Sequence, residues 1–278
     1  LEGYRRVIQE KKGGRLKNIE LILPVLELRI SNYAGSSGLK KINFHIIFSN
    51  KLSPDIIETN FLRNFTLEYD LSDGNTWRGV ISGNSSIEEL GEKINNSCPD
   101  EKRSSESNLE IGFRNICFPE ERIWEVLSLS VFTKKILTAV GLSEWDQMRW
   151  ESGSGGIKKT IINKVDFVFT NSPSVKKFYE RKQQLIDQEV NSNILDCSDS
   201  HFFHDSSQLN RLGHVYTWLK ADLEFEGLRR ITKCYSDRVH ICEIGQFPNK
   251  VQYVRQNPSM FIERLSIKKQ KESKLDEI

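Results

Sequence analysis

The chain has 278 residues, 28% charged and 37% hydrophobic, with 15 Phe, seven Tyr and five Trp, enough to pack a core without staples and to exclude wholesale disorder. No run approaches the 18 apolar residues of a membrane span, which excludes a helical membrane protein as the reading of these residues. Forty Lys and Arg against 38 Asp and Glu leave a net charge of +2, so net charge gives no argument for a nucleic-acid partner.

A first helix is expected over residues 1–12, with Tyr4, Val7 and Ile8 on one face, ended by Gly13 and Gly14. The apolar run IELILPVLELRI (residues 19–30) reads as a strand covered on both faces, and KINFHIIFS as a second strand. Ser53 and Pro54 mark a helix start, as N-cap and first helical residue, for a helix to about Asn64. Another helix is expected from Ser86, where S-I-E-E has the form of a capping box. Residues 95–108 are polar and read as a surface loop, and Pro119-Glu120-Glu121 opens a further helix.

Beyond it the pattern alternates. KKILTAVG, VDFVFTN, NILDCSD and HVYTWLK read as strands, separated by GGIKKTIIN and SPSVKKFYERKQQLIDQ as helices. ADLEFEGLRRITK closes the series as a helix capped by Asp222, and the tail from Ser266 as a linker or exposed helix. Such alternation predicts an α/β fold with mainly parallel pairing, in an open sheet or a barrel. Five scattered cysteines (Cys98, Cys117, Cys197, Cys234 and Cys242) without a C-x-x-C pair indicate neither zinc ribbon nor disulfide framework, and suit a reducing cytoplasm.

Parallel α/β folds place reactive groups at the carboxyl ends of their strands. Glu27 and Arg29 lie two apart on one strand and share a face. His45 stands in the middle of an apolar strand, and Asp199 and His201 follow another, with His204 just beyond. A carboxylate in an apolar strand is costly unless paired or bound to a cation, and oxygen with imidazole donors suit zinc, manganese or iron. The bland reading of each is a satisfied core histidine, a turn cap at Asp199, and a structural Glu27–Arg29 ion pair. Gly153 to Thr160 falls one position short of a phosphate-binding loop, because Lys158 stands where the second glycine belongs, though Lys158 or Lys159 could still reach a phosphate. Lys176, Lys177, Arg181 and Lys182 give one helix a basic face, and Lys220 follows Trp218 at a strand end.

The strings ELRI, NFHIIFSN, EWDQMRW, KKTIINKVDFVFT, LDCSDSHFF and YTWLKADLEFEGLRRI, in that order, resemble the PHP (polymerase and histidinol phosphatase) domain. The likeness is greatest to PHP-plus-ATPase proteins of the TrlF type, some of which resemble phage-defence proteins, and it runs over almost the whole chain. It implies a distorted (β/α)7 barrel over residues 1–241, incomplete at the amino end, with 242–278 a linker towards an ATPase domain.

The resemblance also implies two or three divalent metal ions (Mn, Zn or Fe). Glu27 matches the bridging carboxylate, His45 the following imidazole, and Asp199 with His201 the closing pair. Glu144, past the strand KKILTAVG, stands where a middle ligand belongs, with Cys117 as the other candidate. Arg29 and His204 would contact the phosphate or the leaving group. The family's amino-terminal His-x-His and Asp-His motifs would precede Leu1, so weak hydrolysis by this chain is expected. The function implied is that of a phosphoesterase acting on nucleic acid or another phosphoester, coupled to an ATPase domain or subunit. The alternative is a non-catalytic interaction or regulatory module for that ATPase. A strand as apolar as residues 21–28, left at a sheet edge, is further expected to self-associate.

Overall fold

The computed structural model describes residues 6, 9–12, 19–30, 34–35, 38–39, 42–81, 83–142, 150, 155–202, 206–208, 210–211, 213–243 and 245–262. Five strands form the main sheet: β1 (Val25–Ile30), β4 (Ile42–Phe48), β7 (Ile136–Gly141), β8 (Phe167–Thr170) and β9 (Ile194–Asp196), in that spatial order. Two short strands, β2 (Ala34–Gly35) and β3 (Gly38–Leu39), pair between β1 and β4. The fold is mixed α/β, and among the described residues the sheet is open, not a closed barrel.

Pairing departs from the parallel pattern that the sequence suggested. β7–β8 and β8–β9 are parallel, but β4 runs antiparallel to both of its neighbours. For the pairing with β1 the reason is chain length. The link 31–41 is shorter than the dozen or more residues that a parallel crossover needs. The first strand is also shorter than its apolar run, because Pro24 lacks the N–H that would extend the ladder. Its carbonyl still accepts from the Phe48 N–H at 2.8 Å.

That bond fixes which way each backbone group points. Pro24 and Phe48 form a hydrogen-bonded pair, so Leu26, Leu28 and Ile30 turn their backbone groups towards β4. Val25, Glu27 and Arg29 therefore turn theirs to the outer edge. There the Phe118 N–H donates to the Arg29 carbonyl at 2.8 Å, closing the far end.

Between β4 and β7 lie helices α1 (Pro54–Asn60), α2 (Asn84–Ser97), α3 (Asn108–Asn115) and α4 (Glu120–Leu127), with a hairpin of β5 (Thr66–Asp70) and β6 (Thr76–Val80). Ser53 caps α1 as its position implied, but the helix stops at Asn60. The hairpin was not expected, although Asp73-Gly74 is a hairpin turn signal and Gly74 has φ +87°. The capping box is not at Ser86, which instead donates to the Gly83 carbonyl. It is formed by Ser107, near the end of the stretch that read as a loop through residue 108, and Glu110 just beyond it.

The buried aromatic cluster sits on one face of β4. Phe48 meets Phe61 and Phe132 at 5.9 Å, and Phe65 meets Phe118 edge-on at 5.1 Å. α5 (Gly155–Lys164) and α6 (Val175–Asp187) link the parallel strands, as their sequence patterns predicted. Of the expected strand HVYTWLK only β10 (Trp218–Leu219) forms, paired with β11 (Val239–His240). α7 (Phe225–Ile231) has Glu224 at its N-cap position, and Asp222 pairs with Arg230 at 3.4 Å instead of capping. α8 (Tyr235–Arg238) and α9 (Asn249–Gln256) complete the described elements, with residues 6 and 9–12 helical near the start. The tail from Ser266 lies outside the described residues.

Helices α2 and α3 touch backbone to backbone at two glycines. A Cβ on Gly91 would lie 1.7 Å from the Asn108 carbonyl oxygen, and one on Gly112 1.9 Å from that of Ile87. Neither obstacle is a flexible side chain, so the helices themselves must separate. Gly112→Ala is expected to destabilise the protein by about 1–3 kcal/mol. A urea midpoint equal to that of the wild type would show that the helices are not held in this close contact.

Candidate functional site

Strand alternation divides β1 and β4 into two unlike faces. Leu28, Ile30, Phe44, Ile46 and Phe48 are buried, whereas Val25, Glu27, Arg29, Asn43 and His45 look out from the other side. The register sets Glu27 directly opposite His45. Their side chains meet at 3.7 Å between Oε2 and Nε2, an ion-pair distance rather than a tight hydrogen bond. Arg29, two residues on, donates from Nη1 to the Arg114 carbonyl at 3.1 Å.

His45 is held from its other side too. Its neighbour on β7 is Ala139, whose methyl leaves the imidazole room to reach the Phe169 ring on β8, at 5.1 Å. Its Nδ1 is buried and, among the described residues, has no hydrogen-bond partner. A buried imidazole nitrogen with nothing to bind calls for an explanation, such as a water or an ion.

Asp199 and His201 follow β9 and contact one another at 3.7 Å between Oδ1 and Nε2. Both side chains are exposed, and Asp199 has φ +46°, a left-handed conformation that Asp tolerates better than most residues. The His201 N–H donates to the Asn210 carbonyl at 2.9 Å, tying this loop to the chain returning towards β10. Glu27 links the two pairs electrostatically. Its carboxyl is held below the ordinary carboxylate range, chiefly by His45, with further pulls from Arg29 and His201 and an opposing push from burial.

The expected residues therefore assemble as two carboxylate–imidazole pairs, Glu27–His45 and Asp199–His201. Among the described residues no three His, Cys, Asp or Glu side chains gather into one metal-holding group. Glu144 and His204 lie outside the described residues. Cys117 is half-buried, and no such group includes it. Cys197, between Asp196 and Asp199, is a poor thiolate donor, because burial and these carboxylates push its thiol up to about 12.

Two weaker motifs turn out to serve the fold. Lys158 is 2% exposed with its Nζ 3.6 Å from the centre of the Trp150 ring, so it does not reach out to a phosphate. On α6, Lys176 and Lys177 both pair with Glu180, and Lys182 lies over the Tyr235 ring. Arg181 donates to Thr170 Oγ1, the Asn171 carbonyl and Ser172 Oγ. The basic helix thus spends its charge within the molecule.

Sequence reasoning missed Asp196, which is 6% exposed at the end of β9. Its Oδ1 accepts the Ser172 N–H at 2.9 Å, and its backbone exchanges hydrogen bonds with Thr217 Oγ1. A carboxylate ending the apolar run NIL was the available signal, the same one that singled out Glu27. Together with the Arg181 contacts, Asp196 fixes the two loops that leave β8 and β9.

Burial raises the Asp196 carboxyl to about 6, outweighing the opposing pull of the Ser172 hydrogen bonds and Arg181. Its folded value lies above the unfolded one, so its contribution to stability is full below pH ~4 and is lost as pH rises through about 6. Asp196→Asn is expected to remove this pH dependence, which reaches at most ~1.4 kcal/mol per pH unit. Urea unfolding at a series of pH values from about 4 to about 8 checks it. Identical slopes in the two proteins would show that Asp196 titrates normally.

No family model matches the chain, and neither a curated protein nor a solved structure matches it.

Proposed function

We propose that the chain is a metal-dependent phosphoesterase of the PHP type, acting on nucleic acid or another phosphoester and working with an ATPase domain or subunit. The open α/β sheet is, in this reading, part of a distorted barrel whose inner face carries Glu27 and His45. One observation carries the proposal. The Glu27 carboxylate on an exposed sheet face is drawn down by imidazoles from β4 and from the loop after β9.

The donor types fit a divalent ion. Carboxylate and imidazole suit manganese, zinc or iron, and Nε2, the His45 nitrogen that faces Glu27, would be the imidazole donor. Glu27 and His45 would hold an ion at one side of the site, and Asp199 and His201 at the other. Such an ion, when bound, would lower the pKa of a water towards ~7 and would stabilise charge on the leaving oxygen. Arg29 keeps guanidinium N–H groups beyond the one given to Arg114, and these would orient a phosphate over Glu27. His201, exposed at the rim, is placed to hold or pass a proton.

Titration with Mn2+ followed by electron paramagnetic resonance tests the reading. Glu27→Gln and Asp199→Ala should each weaken binding by about tenfold or more. Hydrolysis of a model phosphodiester by the chain should be slow, because two separated pairs hold an ion cluster loosely. Binding of Mn2+ untouched by both substitutions would sink the proposal. Failure to bind Mn2+ or Zn2+ at all would favour the alternative, a non-catalytic module for an ATPase partner.

A further inference from the structure

A gap in the sheet face lies beside the Glu27–His45 pair. Gly141 ends β7, on the carboxyl side where α/β sheets hold their ligands. It pairs with Phe169 on β8, and one step past the Val140–Phe44 pair it comes level with Asn43 on β4. Alternation puts Asn43, Gly141 and Phe169 on the face of His45, whose ring meets that of Phe169 at 5.1 Å. Between Asn43 and Phe169, where a side chain would stand, there is only backbone. A Cβ on Gly141 would meet nothing within 4 Å among the described residues.

The fold supplies no reason for this glycine. Gly91 and Gly112 are required by touching helices, and Gly74 and Gly213 by a φ in the left-handed region. Gly141 has neither constraint, since its φ lies outside that region and the space beside it is open. Gly156 shares this freedom, but it sits exposed in the first turn of α5. Glycine weakens a strand, and one that packing does not require marks a place where a ligand comes close to the backbone.

We infer that the gap over Gly141 receives the planar group of the substrate, and that the substrate class is a nucleoside phosphoester. This deepens the phosphoesterase reading and rests on it, because that reading sets the phosphate over Glu27. The walls select the occupant. Asn43 lines one side with an amide and Phe169 the other with an aromatic ring. A nucleobase has polar edges and apolar faces, so it meets both walls. Spacing agrees. Strands β1 and β7 are separated by β4 and so lie about 10 Å apart, the reach of a nucleoside phosphate from phosphorus to base. A sugar phosphate alone would leave the gap unfilled.

Adenosine carries the planar group without the phosphate, so it reads the gap whether or not an ion or phosphate is held beside Glu27. In NMR spectra of the 278-residue chain, adenosine should shift the Gly141 amide and Phe169 ring signals, and ribose should not. Gly141→Ala should raise the urea midpoint while weakening adenosine binding. Gly141→Val fills the gap further and should abolish the adenosine shifts. Phe169→Leu keeps an apolar filling but removes the ring, and should weaken adenosine binding by about tenfold. Signals unmoved by millimolar adenosine would overturn the inference. So would a lowered midpoint in Gly141→Ala, which would make the glycine structural, or wild-type adenosine binding by Gly141→Val. Mn2+ binding without adenosine binding would sink this inference alone. Adenosine binding by a chain that takes up no Mn2+ would sink the phosphoesterase reading and leave a nucleoside site.

Discussion

Eleven residues separate Ile30 from Ile42, too few to carry the chain across the sheet for a parallel return. β1 and β4 must therefore lie antiparallel as neighbours, and most of what distinguishes this molecule depends on that pairing. Once Phe48 donates to Pro24, the register sets Glu27 against His45 and Leu28 against Phe44. A slip of one residue would move both apolar sets to the solvent face and bury Glu27 together with Arg29, at a desolvation cost that their mutual attraction offsets only in part. Hydrophobic burial on one face thus holds a carboxylate and an imidazole together on the other.

The buried face makes that register costly to lose. Phe44 packs edge-on against Trp124 at 5.4 Å, while Phe48, Phe61 and Phe132 form a mutual cluster. These rings come from β4, from the end of α1, and from the segments leading to β7, so the long insertion between the strands closes on the sheet through them. The exposed face is stiffened differently. Ala139 spaces His45 from Phe169, and the Asp196–Ser172–Arg181 contacts fix the loops from which Asp199 and His201 arise. Site geometry is therefore supported from both sides of the sheet, by aromatic packing on one and by buried polar contacts at the strand ends.

Local signals were legible where they were self-contained. The strands at INFHIIF and ILTAVG, the Ser53–Pro54 start of α1 and the Ser174 cap of α6 all rest on neighbours within four residues. Signals failed where two local rules competed. Ser86 offered a capping box but lies inside a helix that begins at Asn84, while the true box at Ser107 and Glu110 was hidden in a polar stretch. Lys158 and Arg181 looked like surface charge because sequence spacing carries no information on whether a long side chain folds inward.

By itself, the sequence determined the alternating α/β pattern, the apolar strands, and the four titratable residues Glu27, His45, Asp199 and His201 set within or just beyond them. These follow from period, composition and the cost of placing a charge in an apolar run, all properties of short windows. Strand order, the antiparallel place of β4, the join of Glu27 to His45, the role of Asp196 and the open edge of β1 were decided by tertiary structure alone. Each joins residues 12 or more apart along the chain, or is the lack of such a partner. Contacts at that separation are selected by the packing of the whole core, which no local window contains.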